Sequence, residues 1–279
     1  MNRIDRRFAE LKRAGRVALV PYVTAGHPQP QSTVPVLHAA VAAGADLVEI
    51  GMPFSDVMAD GPVIQNAHER ALAQGTGLEQ VLDMVRDFRH EDADTPVILM
   101  GYANPIERRG AARFSAEAAE AGVDGLLIVD CPADEADELK AQLAGQGIHQ
   151  IFLVAPTTTE RRLDHAARLA GGFVYYVSIK GVTGAASLDV DALAPMIEKV
   201  RGHIDLPVAV GFGIREPAQA AAVAAVADAV VIGSALVDRL DQCATVEEAV
   251  AASRDFLAPV REAMDNSVPI HAEQAVRTT

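Results

Sequence analysis

The run Leu47-Val48-Glu49-Ile50 has the composition of a buried strand, yet its third residue is an acid. Burial disfavours the charged form of a carboxyl group, so an acid in such a place needs a partner or a task. A loop rich in Gly, Pro, Ser and Asp follows, carrying Asp56 and Asp60, and a helical pattern starts after Gly61-Pro62. If Val48 and Ile50 face a helical layer, alternation turns Glu49 and Leu47 the other way. A semi-buried Glu with a raised pKa is suited to moving protons near neutral pH. The plainer alternative is a carboxyl satisfied by a neighbouring hydroxyl or amide. Asp60, taken alone before Gly-Pro, reads first as a turn or helix-cap residue. As a pair in different surroundings, the two carboxyls can divide acid and base roles.

Glycines mark a second candidate site. Gly184, Gly211, Gly213 and the pair Gly233-Ser234 each follow an apolar run. Backbone N–H groups in such turns, with a short helix N-terminus, bind phosphate without any lysine. Lys180 invites comparison with the Schiff-base lysines of barrel aldolases. It lies in a polar, glycine-containing loop, where a solvated role is expected. The histidines show no metal-ligand spacing, and no metal site is expected.

Eight short apolar strands alternate with helices and position these residues. The strands are expected at 17–23, 47–50, 96–100, 125–129, 150–154, 173–177, 207–210 and 229–232. Helices are expected near 3–14, 31–43, 62–73, 78–88, 111–121, 135–144, 160–169, 190–200, 217–226 and 246–264, with a turn at 101–105. Continuous Val/Ile/Leu strands between helices mean a parallel sheet covered by helices. The 279 residues match the size of an eight-unit barrel, about 250 residues. The expected fold is a single-domain α/β protein, a (β/α)8 TIM barrel with an extra N-terminal helix. It spans residues 1–265 as the catalytic domain, with a polar, frayed tail over 266–279. An open doubly wound sheet is the alternative. In a barrel, Glu49 would lie at the C-terminal mouth, where barrel active sites are built.

Half of the residues are hydrophobic and 4% are aromatic, with no Trp, which suits closely packed helices on an aliphatic sheet. The net charge of −14 argues against nucleic acid or an anionic membrane as partner, since both require basic surfaces. No apolar run reaches the roughly 18 residues of a membrane span. The N-terminus lacks the apolar run of a signal peptide. Cys131 and Cys243 are far apart and read as reduced, small apolar residues. A soluble, cytoplasmic protein is expected.

Beyond these patterns, the chain closely resembles the tryptophan synthase alpha chain family. The matching stretches are Pro21-Tyr22-Val23-Thr24-Ala25-Gly26, 48–56 (VEIGMPFSD), Ala59-Asp60-Gly61-Pro62 and Tyr102-Ala103-Asn104-Pro105. Val129-Asp130-Cys131-Pro132, Gly181-Val182-Thr183-Gly184-Ala185, Gly211-Phe212-Gly213-Ile214 and Gly233-Ser234-Ala235 complete the set. The resemblance implies retro-aldol cleavage of indole-3-glycerol phosphate to indole and glyceraldehyde 3-phosphate, without a cofactor. It implies Glu49 as proton shuttle and Asp60 as the carboxylate that stabilises positive charge at the indole nitrogen. Tyr22, Met100, Tyr102, Leu127, Tyr175 and Phe212 would contact substrate, with Thr183 ordering the loop over it. Gly184, Gly213, Gly233 and Ser234 would hold its phosphate. Pro53, Asp56 and Pro132 would face a pyridoxal-phosphate-dependent beta chain in an alpha2-beta2 heterotetramer. The family usually reads Pro-Leu where this chain has Val57-Met58, which loosens the loop backbone at the expected interface. A free-standing lyase and a non-catalytic subunit that binds ligand and activates a beta chain are the alternatives.

Overall fold

The aliphatic runs pair in sequence order and close on themselves in a computed structural model that describes residues 1–177, 190–211 and 213–267. The eight parallel strands are β1 (Ala18–Thr24), β2 (Val48–Gly51), β3 (Val97–Gly101), β4 (Gly125–Ile128), β5 (His149–Val154), β6 (Val174–Val177), β7 (Val208–Gly211) and β8 (Ala229–Ile232). Closure is made by β1 against β8, with Ala18 opposite Ala229 and Pro21 opposite Ile232. Pro21 lacks an N–H, and its place near the end of that pairing limits the loss to the ladder.

Twelve α-helices accompany the strands among the described residues. In chain order they are α1 (Arg3–Ala14), α2 (Thr33–Ala42), α3 (Pro62–Ala73), α4 (Leu78–Glu91), α5 (Ala103–Arg109) and α6 (Ala111–Ala121). They continue with α7 (Asp137–Gly145), α8 (Glu160–Leu169), α9 (Val190–Arg201), α10 (Pro217–Ala224), α11 (Ser234–Asp241) and α12 (Val246–Asp265). The (β/α)8 barrel expected from the strand pattern is the fold observed. Two helices differ from expectation. The stretch read as a turn at 101–105 begins α5, because Pro105 falls in its first turn, where a missing N–H costs nothing. The segment after Gly233 forms α11, too short to announce itself by periodicity.

Side-chain alternation divides the interior into two layers. Val48 and Ile50 join the layer between sheet and helices. Leu47 faces the barrel interior with Val20, Ile98, Leu127, Ile151, Tyr175, Ala209 and Val231. The N-terminal end of the barrel is stoppered by Ile4, Phe8 and Leu11 of α1, and the Phe8 and Phe173 rings lie 5.7 Å apart. That helix starts on a side-chain cap, Asn2 Oδ1 accepting from the Ile4 N–H at 2.8 Å, and stops at Gly15, whose φ of 64° suits glycine. With one end stoppered, the opposite mouth is left for a ligand.

Candidate active site

Five side chains on the inner face define that mouth. Tyr22 of β1 is in register with Glu49 of β2. Gly51 pairs with Met100 of β3, and Met100 with Leu127 of β4. Tyr175 of β6 comes in from the other side, beside Leu153 and Ala209. A Cβ at Gly51 would run into the Tyr22 hydroxyl, and one at Gly211 into the Tyr175 hydroxyl. Strands β2 and β7 thus end in glycine where a tyrosine head needs the space.

Glu49 is 1% exposed, and its Oε1 has no hydrogen-bond partner. Burial first, and the charge of Asp60 second, push its carboxyl up to about 8. The bland reading of this acid, one satisfied by a neighbour, therefore does not hold for that oxygen. A buried acceptor without a partner points to a ligand that supplies one.

Asp60 lies in the loop between β2 and α3, which folds back over the mouth. Its Oδ2 accepts from the Tyr102 hydroxyl at 2.8 Å, and that hydroxyl accepts from the Ala59 N–H at 3.2 Å. Gln65 on the first turn of α3 donates to the Asp60 carbonyl at 2.7 Å. Burial raises the Asp60 pKa, and the Tyr102 bond opposes the rise by favouring the charged form. The Asp60 and Glu49 charges both raise the Tyr22 and Tyr175 phenols further, after burial itself. The two acids and two phenols therefore share one electrostatic neighbourhood, with the Asp60 carboxyl held by the Tyr102 hydroxyl and Oε1 of Glu49 left bare.

Gly213 has φ of 70°, which glycine adopts without strain. Gly233 precedes α11 as its N-cap, and Ser234 is its first residue, so the N–H groups of that first turn point toward the mouth end. Thr183, Gly184 and Phe212, together with Lys180, lie outside the described residues. Of the expected partner-facing residues, Asp56 is exposed, Pro132 half-buried and Pro53 buried. Val57 is buried while Met58 is 77% exposed, an unsupported apolar side chain on the rim. No group of three or more His, Cys, Asp or Glu among the described residues is placed to hold a metal ion. Both cysteines are free and half-buried. His68 belongs to this site and was invisible in the sequence, where it carries no motif. Its one signal is its place on the apolar face of α3, seven residues after Gly61.

A closed parallel barrel whose open mouth holds an unpaired buried acid beside a tethered second acid is an enzyme site of the acid–base type. The family model for the tryptophan synthase alpha chain matches residues 8–267. A tryptophan synthase alpha chain from Bordetella bronchiseptica is 55% identical over 273 residues, covering 95% of this chain and 96% of its own. One from Thioalkalivibrio sulfidiphilus is 56% identical over 269 residues, covering 95% and 100%. The crystal structure of tryptophan synthase subunit alpha from Legionella pneumophila str. Paris superposes with a TM-score of 0.90 at 43% identity, covering 95% of this chain and 99% of that one. The chain belongs to the tryptophan synthase alpha chain family. It is a carbon–carbon lyase of tryptophan biosynthesis that cleaves indole-3-glycerol phosphate to indole and glyceraldehyde 3-phosphate.

Proposed function

We propose that Glu49 and Asp60 carry this cleavage in divided roles. The observation behind the division is the bare, buried Oε1 of Glu49 next to an Asp60 already fixed by Tyr102. With a pKa near 8, Glu49 rests protonated at neutral pH and gives its proton to indole C3. The ring nitrogen then bears positive charge, which the Asp60 carboxylate stabilises. Glu49, now a carboxylate, takes the proton of the glycerol hydroxyl next to the ring. The carbon–carbon bond breaks, its electrons restore the aromatic indole, and the hydroxyl carbon leaves as the aldehyde. Glu49 ends protonated, as it began, so the protons balance.

In the same proposal Tyr22, Met100, Leu127, Tyr175 and Phe212 enclose the indole, and Tyr102 works through Asp60. Thr183 orders the loop after β6. Gly184, Gly213, Gly233 and Ser234 bind the phosphate, in keeping with the glycine turns and the start of α11. Asp56 and Pro132 face the beta chain of a cytoplasmic alpha2-beta2 heterotetramer, with buried Pro53 shaping the loop behind Asp56, and exposed Met58 gives the rim an apolar contact. No helix among the described residues is long and apolar enough to cross a membrane.

Indole release from indole-3-glycerol phosphate, with and without a beta chain, tests the assembly. Slow turnover that a beta chain accelerates is the expected result. Fast turnover by the chain alone would instead favour a free-standing lyase. Asp60 has its own test. Asp60→Asn should lower kcat at least about 10²-fold, since the lost charge acts only in the transition state. Tyr102→Phe removes the bond that favours the Asp60 carboxylate, so its pKa rises further. The acidic limb of kcat/KM should then move to higher pH, and an unmoved limb would rule out this role for Tyr102.

A further inference from the structure

Helix α3 turns one buried imidazole toward the barrel. His68 is 2% exposed, and its Nδ1 accepts a hydrogen bond from the Phe54 backbone N–H at 3.1 Å. A ring nitrogen that accepts carries no proton, so the neutral ring holds its proton on Nε2. That Nε2 lies 3.2 Å from the Tyr22 hydroxyl oxygen and therefore donates to it. The same hydroxyl is 3.2 Å from Thr24 Oγ1. Burial, and then nearby His27, hold the His68 ring down at about 4, so it stays neutral across the working range.

The two groups joined by this ring belong to different parts of the site. Tyr22 is strand wall, in register with Glu49. Phe54 lies at the start of the loop that ends in Asp60. The other side-chain hydrogen bonds of that loop grip its later half, Tyr102 at Ala59 and Gln65 at Val57 and Asp60, while at its start the Phe54 ring lies 5.5 Å from the Tyr102 ring. At its beginning, the side chain that holds the backbone is His68.

We propose that His68 is a positioning residue, a single neutral imidazole that clamps the start of the Asp60 loop to the Tyr22 wall and so sets Asp60 against Glu49. The inference rests on the role proposed above for Asp60. Helix α3 sets the angle, since Phe54 and Tyr22 must both meet one rigid ring. A shift of the loop by the width of one hydrogen bond would carry Asp60 away from the indole nitrogen, and displacements of about 1 Å can cost roughly 10²-fold in rate.

Two amide variants separate the halves of the clamp. In His68→Asn the side-chain oxygen takes the place of Nδ1 and keeps the Phe54 bond. In His68→Gln the amide nitrogen reaches the place of Nε2 and keeps the Tyr22 bond, but the Phe54 N–H loses its acceptor. His68→Gln is expected to lower kcat about tenfold with KM changed less than about twofold, the pattern of an interaction used in the transition state. His68→Asn keeps the loop tied to α3 and releases only the Tyr22 side, so its loss should not exceed that of His68→Gln. Tyr22→Phe leaves Nε2–H without an acceptor, and His68→Asn leaves the Tyr22 oxygen without its donor. The double variant should therefore lose no more than the worse single one. Thermal midpoints measured alongside separate positioning from folding, because a merely structural role lowers the midpoint and leaves kcat per folded molecule intact. The clamp is refuted if His68→Gln keeps kcat within about twofold, or if the Tyr22 and His68 losses simply add. Asp60→Asn in the same assay distinguishes the two failures: turnover that survives it removes the Asp60 role, whereas its loss beside an unaffected His68→Gln removes the clamp alone.

Discussion

Glu49→Gln should abolish most indole release, a loss of at least about 10²-fold in kcat, because the amide can neither give a proton to indole C3 nor take one from the glycerol hydroxyl. The same carboxyl should govern the alkaline side of the pH profile. Its pKa is raised to about 8, and the protonated form starts the reaction, so kcat/KM should fall as pH rises through that region. The acidic limb belongs to Asp60, which must be ionised and whose pKa burial also raises. Since the Asp60 charge raises Glu49, the alkaline limb reports the pair and not Glu49 alone. Stability gives an independent check of sign. Between about pH 4.5, the ordinary value, and about 8 the folded protein binds a proton at Glu49 that the unfolded chain has released, so stability falls with rising pH across that window. Glu49→Gln removes the ionisation and should flatten that part of the curve, leaving the variant more stable than the wild type at pH 8 by on the order of 1 kcal/mol or more. Urea unfolding at pH 5 and pH 8 measures it. An inactive variant no more stable at pH 8 than the wild type would mean that the carboxyl is neither bare nor strained by burial.

Much of this site was legible because strand alternation is a local rule. Val48 and Ile50 are apolar and Leu47 two residues before Glu49 is apolar as well, so the direction of Glu49 followed once the helical layer was assigned to Val48 and Ile50. The glycine turns after β7 and β8 were equally readable, since turn chemistry is written in the residues themselves. What stayed hidden was tertiary. Tyr102 is 42 residues from the acid it bonds, and His68 is 46 residues from Tyr22. No periodicity carries such pairings. The helix α5 was hidden for another reason: Asn104-Pro105 is turn-like composition, and only the position of Pro105 within a first turn makes it helical. The α11 helix follows a glycine and spans eight residues, too few for a buried stripe to repeat.

The largest expected loss of stability lies at the opposite end of the barrel, far from the chemistry. Asp124, 3% exposed, stands just before β4. Its Oδ1 accepts from Arg3 of α1 at 2.9 Å, and its Oδ2 from Arg89 of α4 at 2.7 Å and from the Val97 N–H at 2.9 Å. One carboxylate therefore joins the stoppering helix, an outer helix and the start of β3. Asp124→Ala would leave the Arg89 guanidinium, only 11% exposed as a side chain, without its counter-charge, and the Val97 N–H without that acceptor. Breaking one side of a buried ion pair costs about 3–5 kcal/mol. Arg89 keeps three backbone acceptors, the Gly122, Asp92 and Thr95 carbonyls, which places the expected loss toward the lower end, about 3 kcal/mol. Asp124→Asn retains an acceptor oxygen and the shape, and should lose about half as much. Urea midpoints at unchanged slope would measure both. The kcat of the folded fraction should stay at the wild-type value, because the mouth is built from the other ends of the same strands. A loss below about 1 kcal/mol would mean that the stopper helix and α4 are held by their apolar faces alone. A fall in kcat at full folding would mean that the stoppered end reaches the mouth through the barrel layers, through the Ile4, Ile98 and Leu127 stack beneath Glu49.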